Sequence, residues 1–81
     1  MLARLGVKPR HWDAFNVRAL RQHPGFTQAQ LARKLGVVQQ TVSAWECGDH
    51  TPTRLSAYLL DVIAEKYGFE YEDVIAAGLR L

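Results

Sequence analysis

The sequence has few of the features that stabilise secreted or membrane proteins. It contains a single cysteine, Cys47, so no disulfide can form within the chain, which is typical of a reducing compartment. The longest uncharged apolar stretch, residues 55–60, is far shorter than the roughly 20 residues that span a bilayer. Residues 1–10 also lack the apolar run of a secretory signal. We therefore expect a cytoplasmic protein that does not enter a membrane.

Residue clusters that carry catalysis or bind metals are missing as well. Cys47 and His50 form a C-x-x-H fragment, but His11 and His23 do not supply a second pair of zinc ligands. Ser43 has no histidine nearby in the sequence to act as its base, and there is no glycine-rich phosphate loop. The sequence therefore predicts no enzyme, no metal site and no cofactor.

The composition that remains is that of one small helical domain. The chain has 81 residues, of which 48% are hydrophobic and 22% charged, and this is enough for a single modest core. Start and stop signals predict about five short helices, and no segment shows sustained strand alternation. We expect an all-α domain over residues 1–81, with an arm or extra turn over 1–11 and a five-helix core over 12–78.

The first and fourth predicted helices flank the central part of the chain. The first runs from residue 12 or 13 to Gln22, with Val17 and Leu20 facing the core. The fourth begins with Thr51 as N-cap and Pro52 at its first helical position. Apolar residues at helical spacing predict the buried face of the fourth helix as Leu55, Leu59, Val62 and Ile63.

The most informative segment is residues 27–47. Thr27 begins a capping box, and Gly36 ends the helix that follows it. Two residues, Val37 and Val38, separate that stop from another helix, which begins at Gln39 and continues to about Cys47. A capped helix, a glycine-bearing turn and a short second helix predict a helix-turn-helix, which places its second helix in the major groove of DNA.

The helix that begins at Gln39 has two different sides. At about 100° per residue, Val42 and Trp45 fall on one side, whereas Gln39 and Gln40 fall on the other. A glutamine amide offers a donor and an acceptor in one plane, which matches N6–H and N7 of adenine, and small apolar neighbours suit a thymine methyl. The predicted base-contacting residues are Gln39, Gln40, Ser43, Ala44 and Val38.

Positive charge is concentrated in the first two thirds of the chain. Residues 1–54 carry eight Lys or Arg against three acidic residues, a net charge of +5. Residues 55–81 carry two against five, a net charge of −3. This asymmetry favours a protein that presents one face to a polyanion, and the predicted salt-sensitive contacts to the DNA backbone include Arg18, Lys34 and Arg54.

The segment LRQHPGFTQAQLARKLGVVQQTVSAWECGDHTP resembles the Cro/C1-type (XRE-family) helix-turn-helix domain of phage repressors and bacterial regulators. The resemblance covers residues 17–75. It depends on the order of its landmarks, which are Arg21, Gly25, Thr27, Gln28, Leu31, Ala32, Leu35, Gly36, Val37, Val42, Trp45, Glu46 and Gly48. It implies a lambda-repressor-like bundle of five helices, usually homodimeric on DNA, whose third helix reads the bases.

The resemblance also implies roles for individual residues. Gln39, Gln40 and Ala44 match base-contacting positions, and Gln28 matches a residue that grips a backbone phosphate. With Gln28, Thr41 completes the predicted backbone contacts. Two further positions, Arg21 and Glu46, match residues that form a partly buried ion pair in phage repressors.

Two positions depart from the family pattern. Val38 stands where the family usually has Ser or Thr as the N-cap of the reading helix, a loss of about 1 kcal/mol. Ala44 stands where Arg or Gln is common, so one polar base contact is missing. These departures indicate either modest specificity or a specificity shared with the N-terminal arm.

The leading interpretation is a homodimeric repressor or autoregulator that binds a palindromic operator. A last helix is predicted over residues 70–77, and the predicted dimer interface is Val74, Ile75, Leu79 and Leu81. The alternative is an antitoxin, whose main partner is a toxin and in which residues 50–67 pack against a partner helix. An autoregulator of a phage or restriction operon cannot be distinguished from the leading interpretation by sequence.

Overall fold

The computed structural model describes residues 12–69, and this part of the chain forms four α-helices and no strand. They are α1 (Ala14–Gln22), α2 (Gln28–Leu35), α3 (Gln39–Cys47) and α4 (Arg54–Tyr67). Within residues 12–69 the predicted all-α class is confirmed, and this part holds four helices where the sequence predicts about five over the whole chain. The predicted fifth helix over residues 70–77 and the arm over residues 1–11 lie outside the described residues.

α1 is fixed to the rest of the fold at its first turn. Asp13 is its N-cap and accepts a hydrogen bond from a backbone N–H of that turn at 2.8 Å. Val17 and Leu20 are fully buried, as predicted. Trp12 precedes the helix and is also buried, and its Nε1–H donates to Oδ1 of Asp61 on α4 at 2.7 Å. The bond joins the start of the first helix to the middle of the last one.

The helix-turn-helix forms where its local signals predict. Thr27 and Gln30 make the capping box, with side-chain to backbone distances of 2.8 and 3.1 Å. Gly36 ends α2 with a φ of 75°, a conformation that is unfavourable for a residue with a Cβ atom. The N–H of Val37 then bonds the carbonyl of Ala32 at 3.0 Å, so the chain turns directly into α3.

The start of α4 differs from the prediction. Its N-cap is Thr53 rather than Thr51, and the Thr53 hydroxyl accepts the N–H of Ser56 at 3.2 Å. Pro52 therefore lies before the helix rather than at its first position. Either threonine is a suitable N-cap residue type. Thr53 is the cap because its hydroxyl reaches an N–H of the first helical turn that has no partner within the helix.

The predicted buried face of α4 is also wrong in part. Leu55 and Val62 are 68% and 45% exposed, and Leu59 is only partly buried. The buried residues are Ser56, Leu60, Ile63 and Ala64. The buried face is thus rotated by about 100°, the angle between successive residues of a helix, relative to the predicted face. Two of its four residues, Ser56 and Ala64, have small side chains. Leu55, Tyr58 and Val62 remain outside as an exposed apolar stripe of α4.

The core lies between the four helices and draws residues from each of them. Leu20, Leu31, Val42 and Leu60, one from each helix, are completely buried. The other buried hydrophobic residues are Trp12, Val17, Ala32, Leu35, Trp45, Ile63 and Ala64. Because α3 contributes Val42 and Trp45 to this core, its rotation about its own axis is fixed by packing.

The two threonines before α4 give a test of its N-cap. Thr53→Ala is expected to lower the free energy of unfolding by about 1 kcal/mol, because it removes the side-chain acceptor for a helix N–H. Thr51→Ala, the matched control, should change it by less than about 0.5 kcal/mol. Urea unfolding of both variants measures the difference, and a larger loss in Thr51→Ala would contradict the assignment.

Candidate nucleic-acid interface

α3 presents a polar side to solvent because its other side is held in the core. Val42 is fully buried and Trp45 is 3% exposed, whereas Gln39 and Gln40 are exposed. Ser43 and Ala44, also predicted to contact bases, are partly buried on the flank of the same outward side. The structure therefore brings the predicted base-contacting residues of α3 together on one surface.

Val38 stands at the tip of this surface. It is the N-cap residue of α3, it is 62% exposed, and it forms no side-chain cap. Its carbonyl accepts the N–H of Thr41 at 3.0 Å, which tightens the first turn. The apolar side chain is therefore presented to solvent beside the two glutamines, as the thymine-methyl prediction requires.

A shallow groove runs beside the exposed side of α3. Its volume is about 450 Å³, and it lies between α3 and the segment that leads to α4. The lining residues are Gln40, Thr41, Ala44, Trp45, His50, Thr51 and Thr53. His50, Thr51 and Thr53 are not predicted from the sequence as members of this surface. The sequence signal for their position is Gly48, which ends α3 with a φ of 83° and turns the chain back along the helix. The N–H of Asp49 then donates to the carbonyl of Ala44 at 2.9 Å.

The predicted backbone-contacting residues do not form one cluster. Arg54 is exposed at the first position of α4, and Thr41 is partly buried in the groove wall. Lys34 is exposed, and its Nζ lies 5.0 Å from the centre of the Phe26 ring. Arg18 and Gln28, by contrast, both reach the carboxylate of Glu46.

Arg21 and Glu46 are paired in the structure. Nε of Arg21 donates to Oε2 of Glu46 at 2.6 Å, and Nη2 donates to Oε1 at 2.9 Å. Nη1 of the same guanidinium donates to the carbonyl of Phe26 at 3.0 Å. The side chains are 16% and 1% exposed, so this two-pronged pair ties α1 to the end of α3 inside the fold.

Two further side chains donate to the Glu46 carboxylate. Nε2 of Gln28 lies 3.1 Å from Oε1, and Nε of Arg18 lies 3.4 Å from the same oxygen. Neither link was predicted. The available signal was that Glu46 is the only acidic residue between Asp13 and Asp49 in the sequence, so the nearby donors share one carboxylate.

The network determines the ionisation of its members. Burial raises the pKa of the Glu46 carboxyl, but the hydrogen bond from Arg21, the bonds from the other two donors and the charge of Arg21 outweigh it. The pKa of Glu46 therefore lies below its ordinary value of 4.5. The hydrogen bond to Glu46 likewise raises the pKa of Arg21. Both groups are charged at neutral pH.

Within residues 12–69, no group of three or more His, Cys, Asp or Glu side chains is arranged to hold a metal ion. No helix in this part of the chain is both long enough and apolar enough to cross a bilayer.

The depressed pKa of Glu46 predicts how stability depends on pH. The pKa is lower in the folded than in the unfolded chain, so the stabilisation is complete above pH 4.5 and is lost as the pH falls through the folded value. Glu46→Gln should lower the free energy of unfolding by about 3–5 kcal/mol at neutral pH, since it leaves Arg21 without its counter-charge. The difference from wild type, measured by urea unfolding, should shrink below pH 4.5. A difference independent of pH would contradict this role of the carboxylate.

Comparison with known proteins agrees with this geometry. A helix-turn-helix family model matches residues 17–73. The antitoxin PezA of Streptococcus pneumoniae serotype 4 (strain ATCC BAA-334 / TIGR4) is 30% identical over 66 residues, which are 82% of this chain and 40% of PezA. YgzD of Bacillus subtilis (strain 168), named as an uncharacterized HTH-type transcriptional regulator, is 38% identical over 58 residues, 72% of this chain and 83% of YgzD.

No solved structure matches the chain. The chain spans less than half the length of PezA and most of the length of YgzD. The matched segment begins inside α1 and extends beyond α4, so it includes both helices of the motif and the elements that hold them. The resemblance seen in the sequence is confirmed: the chain belongs to the XRE-type helix-turn-helix family.

Proposed function

We propose that the protein is a transcriptional regulator that binds double-stranded DNA in a sequence-specific way and acts as a homodimeric repressor or autoregulator. The observation that carries the proposal is the placement of Gln39 and Gln40. They are exposed on a short helix whose opposite side, Val42 and Trp45, is locked into the core. A rigid helix with free amides in its first turn is suited to entering a major groove.

Base recognition is assigned to the outward side of α3. Each glutamine amide is able to form a paired donor and acceptor contact with adenine. Val38, 62% exposed at the helix tip, supplies an apolar contact for a thymine methyl, and the Ala44 methyl and the Ser43 hydroxyl flank the same surface. Because Ala44 has no polar group, base discrimination depends chiefly on the first turn of the helix.

Affinity that is independent of sequence is assigned to the positive part of the chain. Residues 1–54 have a net charge of +5, and residues 55–81 a net charge of −3. Arg54 and Lys34 are both exposed and supply charge to phosphates, while Thr41 lies in the groove beside the reading surface. Arg18 and Gln28 are the remaining proposed backbone contacts. The negative part would face away from the DNA.

Dimerisation is proposed from the sequence of the C-terminal segment. Val74, Ile75, Leu79 and Leu81 lie outside the described residues, and their apolar character is the reason for assigning them to a dimer interface. A two-fold dimer would place two copies of α3 about one helical turn of DNA apart, roughly 10 base pairs, and would require a palindromic operator.

A second candidate function is favoured by the exposed apolar stripe of α4. Leu55, Tyr58 and Val62 are 68%, 63% and 45% exposed and lie at helical spacing. Such a stripe suits a partner helix, and PezA is named as an antitoxin. In this alternative the protein binds a toxin and autoregulates its own operon. Two findings together would favour this alternative over the leading proposal. A toxin gene would lie next to the gene for this protein, and the toxin would copurify with the wild type but not with Tyr58→Glu.

Selection of bound sites from a random DNA pool tests the leading proposal. We expect an enriched palindrome with two half-sites about 10 base pairs apart, because a two-fold dimer presents two identical reading helices. Sedimentation of the free protein at tens of micromolar should show a dimer. Recovery of no common sequence would contradict specific reading of DNA. A free protein that sediments as a monomer, together with selected sites that contain a single half-site, would contradict the homodimer.

Gln40→Ala and Arg54→Ala should separate base reading from backbone binding. Gln40→Ala is expected to weaken binding to the selected site by about 1–3 kcal/mol and to relax one base position, while binding to random DNA is unchanged. Arg54→Ala should weaken both equally and reduce the slope of log affinity against log salt by about one. Titrations on both duplexes at several salt concentrations measure this. Equal losses on both duplexes for Gln40→Ala would exclude base reading there.

A further inference from the structure

The Glu46 carboxylate collects donors from two helices besides its own. Oε1 accepts from Arg21 on α1 at 2.9 Å, from Gln28 on α2 at 3.1 Å and from Arg18 on α1 at 3.4 Å. The Glu46 side chain is 1% exposed, so this oxygen is shielded from water while three side chains converge on it. An ion pair with Arg21 alone would not require the other two.

The three donors differ in how much of their hydrogen-bonding capacity is used. Arg21 uses Nε, Nη1 and Nη2 on Glu46 and the Phe26 carbonyl. Arg18 is 54% exposed and bonds Glu46 through Nε alone. Within residues 12–69, the side chains of Arg18 and Gln28 form no hydrogen bond other than the one to Glu46. Both nitrogen groups of the Arg18 fork and one N–H of the Gln28 amide are therefore left over.

We propose that Glu46 is a positioning residue for the DNA backbone contact, which it organises by holding Arg18 and Gln28 in a binding-ready geometry. The inference rests on the proposed DNA-binding function and deepens it. A flexible arginine or glutamine loses rotamer freedom when it grips a phosphate, and a side chain already fixed in the folded protein loses less. The buried carboxylate thus supports a phosphate contact that it never touches.

The charges of the network agree with this role. Arg21, which is mostly buried, neutralises Glu46, so the charge of Arg18 is left uncompensated at the surface. A guanidinium held at Nε still presents its two terminal nitrogens in the planar fork that matches phosphate oxygens. Lysine has neither the separate Nε–H nor the fork. The proposal therefore requires arginine, and not merely a positive charge, at position 18.

Arg18→Lys tests this requirement without disturbing the Arg21–Glu46 pair. The probe is a mixed-sequence duplex of about 20 base pairs at low salt, because backbone contacts do not depend on sequence. Arg18→Ala should weaken binding about tenfold, and Arg18→Lys should remain within about threefold of Arg18→Ala. Arg33→Lys, the same change at an exposed arginine of α2 away from Glu46, should bind within about twofold of wild type. Thermal unfolding should show all three variants folded.

Binding by Arg18→Lys that equals wild type would overturn the proposal, since a solvated positive charge would then be sufficient. Failure of the wild type itself to bind any duplex would instead overturn the proposed function. The two failures are distinguished by the wild-type titration alone.

A double-mutant cycle between Gln28 and Glu46 gives a second, independent readout. Gln28→Ala should weaken binding to the duplex about fivefold in the wild-type background but less than about twofold in the Glu46→Gln background. Binding is measured at a temperature at which both the wild type and Glu46→Gln are folded. This loss of effect is expected only if Glu46 acts on DNA binding through Gln28. Equal losses in the two backgrounds would show that Glu46 has a structural role alone and would overturn the proposal.

Discussion

The described fold depends on one buried negative charge. A carboxylate inside so small a domain is stable only if its charge is balanced and its oxygens are bonded, and Arg21 meets both needs for Glu46. Hydrophobic packing among Leu20, Leu31 and Val42 is strong but has little direction, whereas the two-pronged ion pair has a fixed geometry. The ion pair therefore fixes how α1 meets the end of α3 more narrowly than packing alone would.

This constraint also determines which side of α3 is exposed, because it fixes the rotation of the helix about its own axis. Val42, Trp45 and Glu46 are all buried, and Glu46 lies one turn beyond Val42. With two anchors in the core and one in the ion pair, the helix has a single favourable rotation about its axis. Gln40 is exposed because it lies on the side of the helix away from these three anchors, and Gln39 is exposed because it is the first residue of the helix, two turns before Glu46. Interior packing and surface chemistry are therefore two results of the same geometry.

How much the sequence predicts depends on how local the determining interaction is. The capping box at Thr27 and the glycine stop after α2 act within a few residues, and the sequence predicts them correctly. At α4 the local signals are ambiguous: two threonines compete as cap, and apolar residues nearly encircle the helix, so tertiary contacts decide. The hydrogen bonds to Glu46 are long-range in sequence: Arg18 is separated from it by 28 positions and Gln28 by 18. Only the folded arrangement reveals them.

The division of α3 into a held side and a free side has a consequence for how such proteins diversify. Gln39, Gln40 and Ala44 contribute little to the interior, so each is open to replacement without disturbing the fold. Ala44 is partly buried and lines the open groove beside α3. Exchanges on this surface therefore alter what the helix presents to a ligand, while the interior that holds the helix stays unchanged.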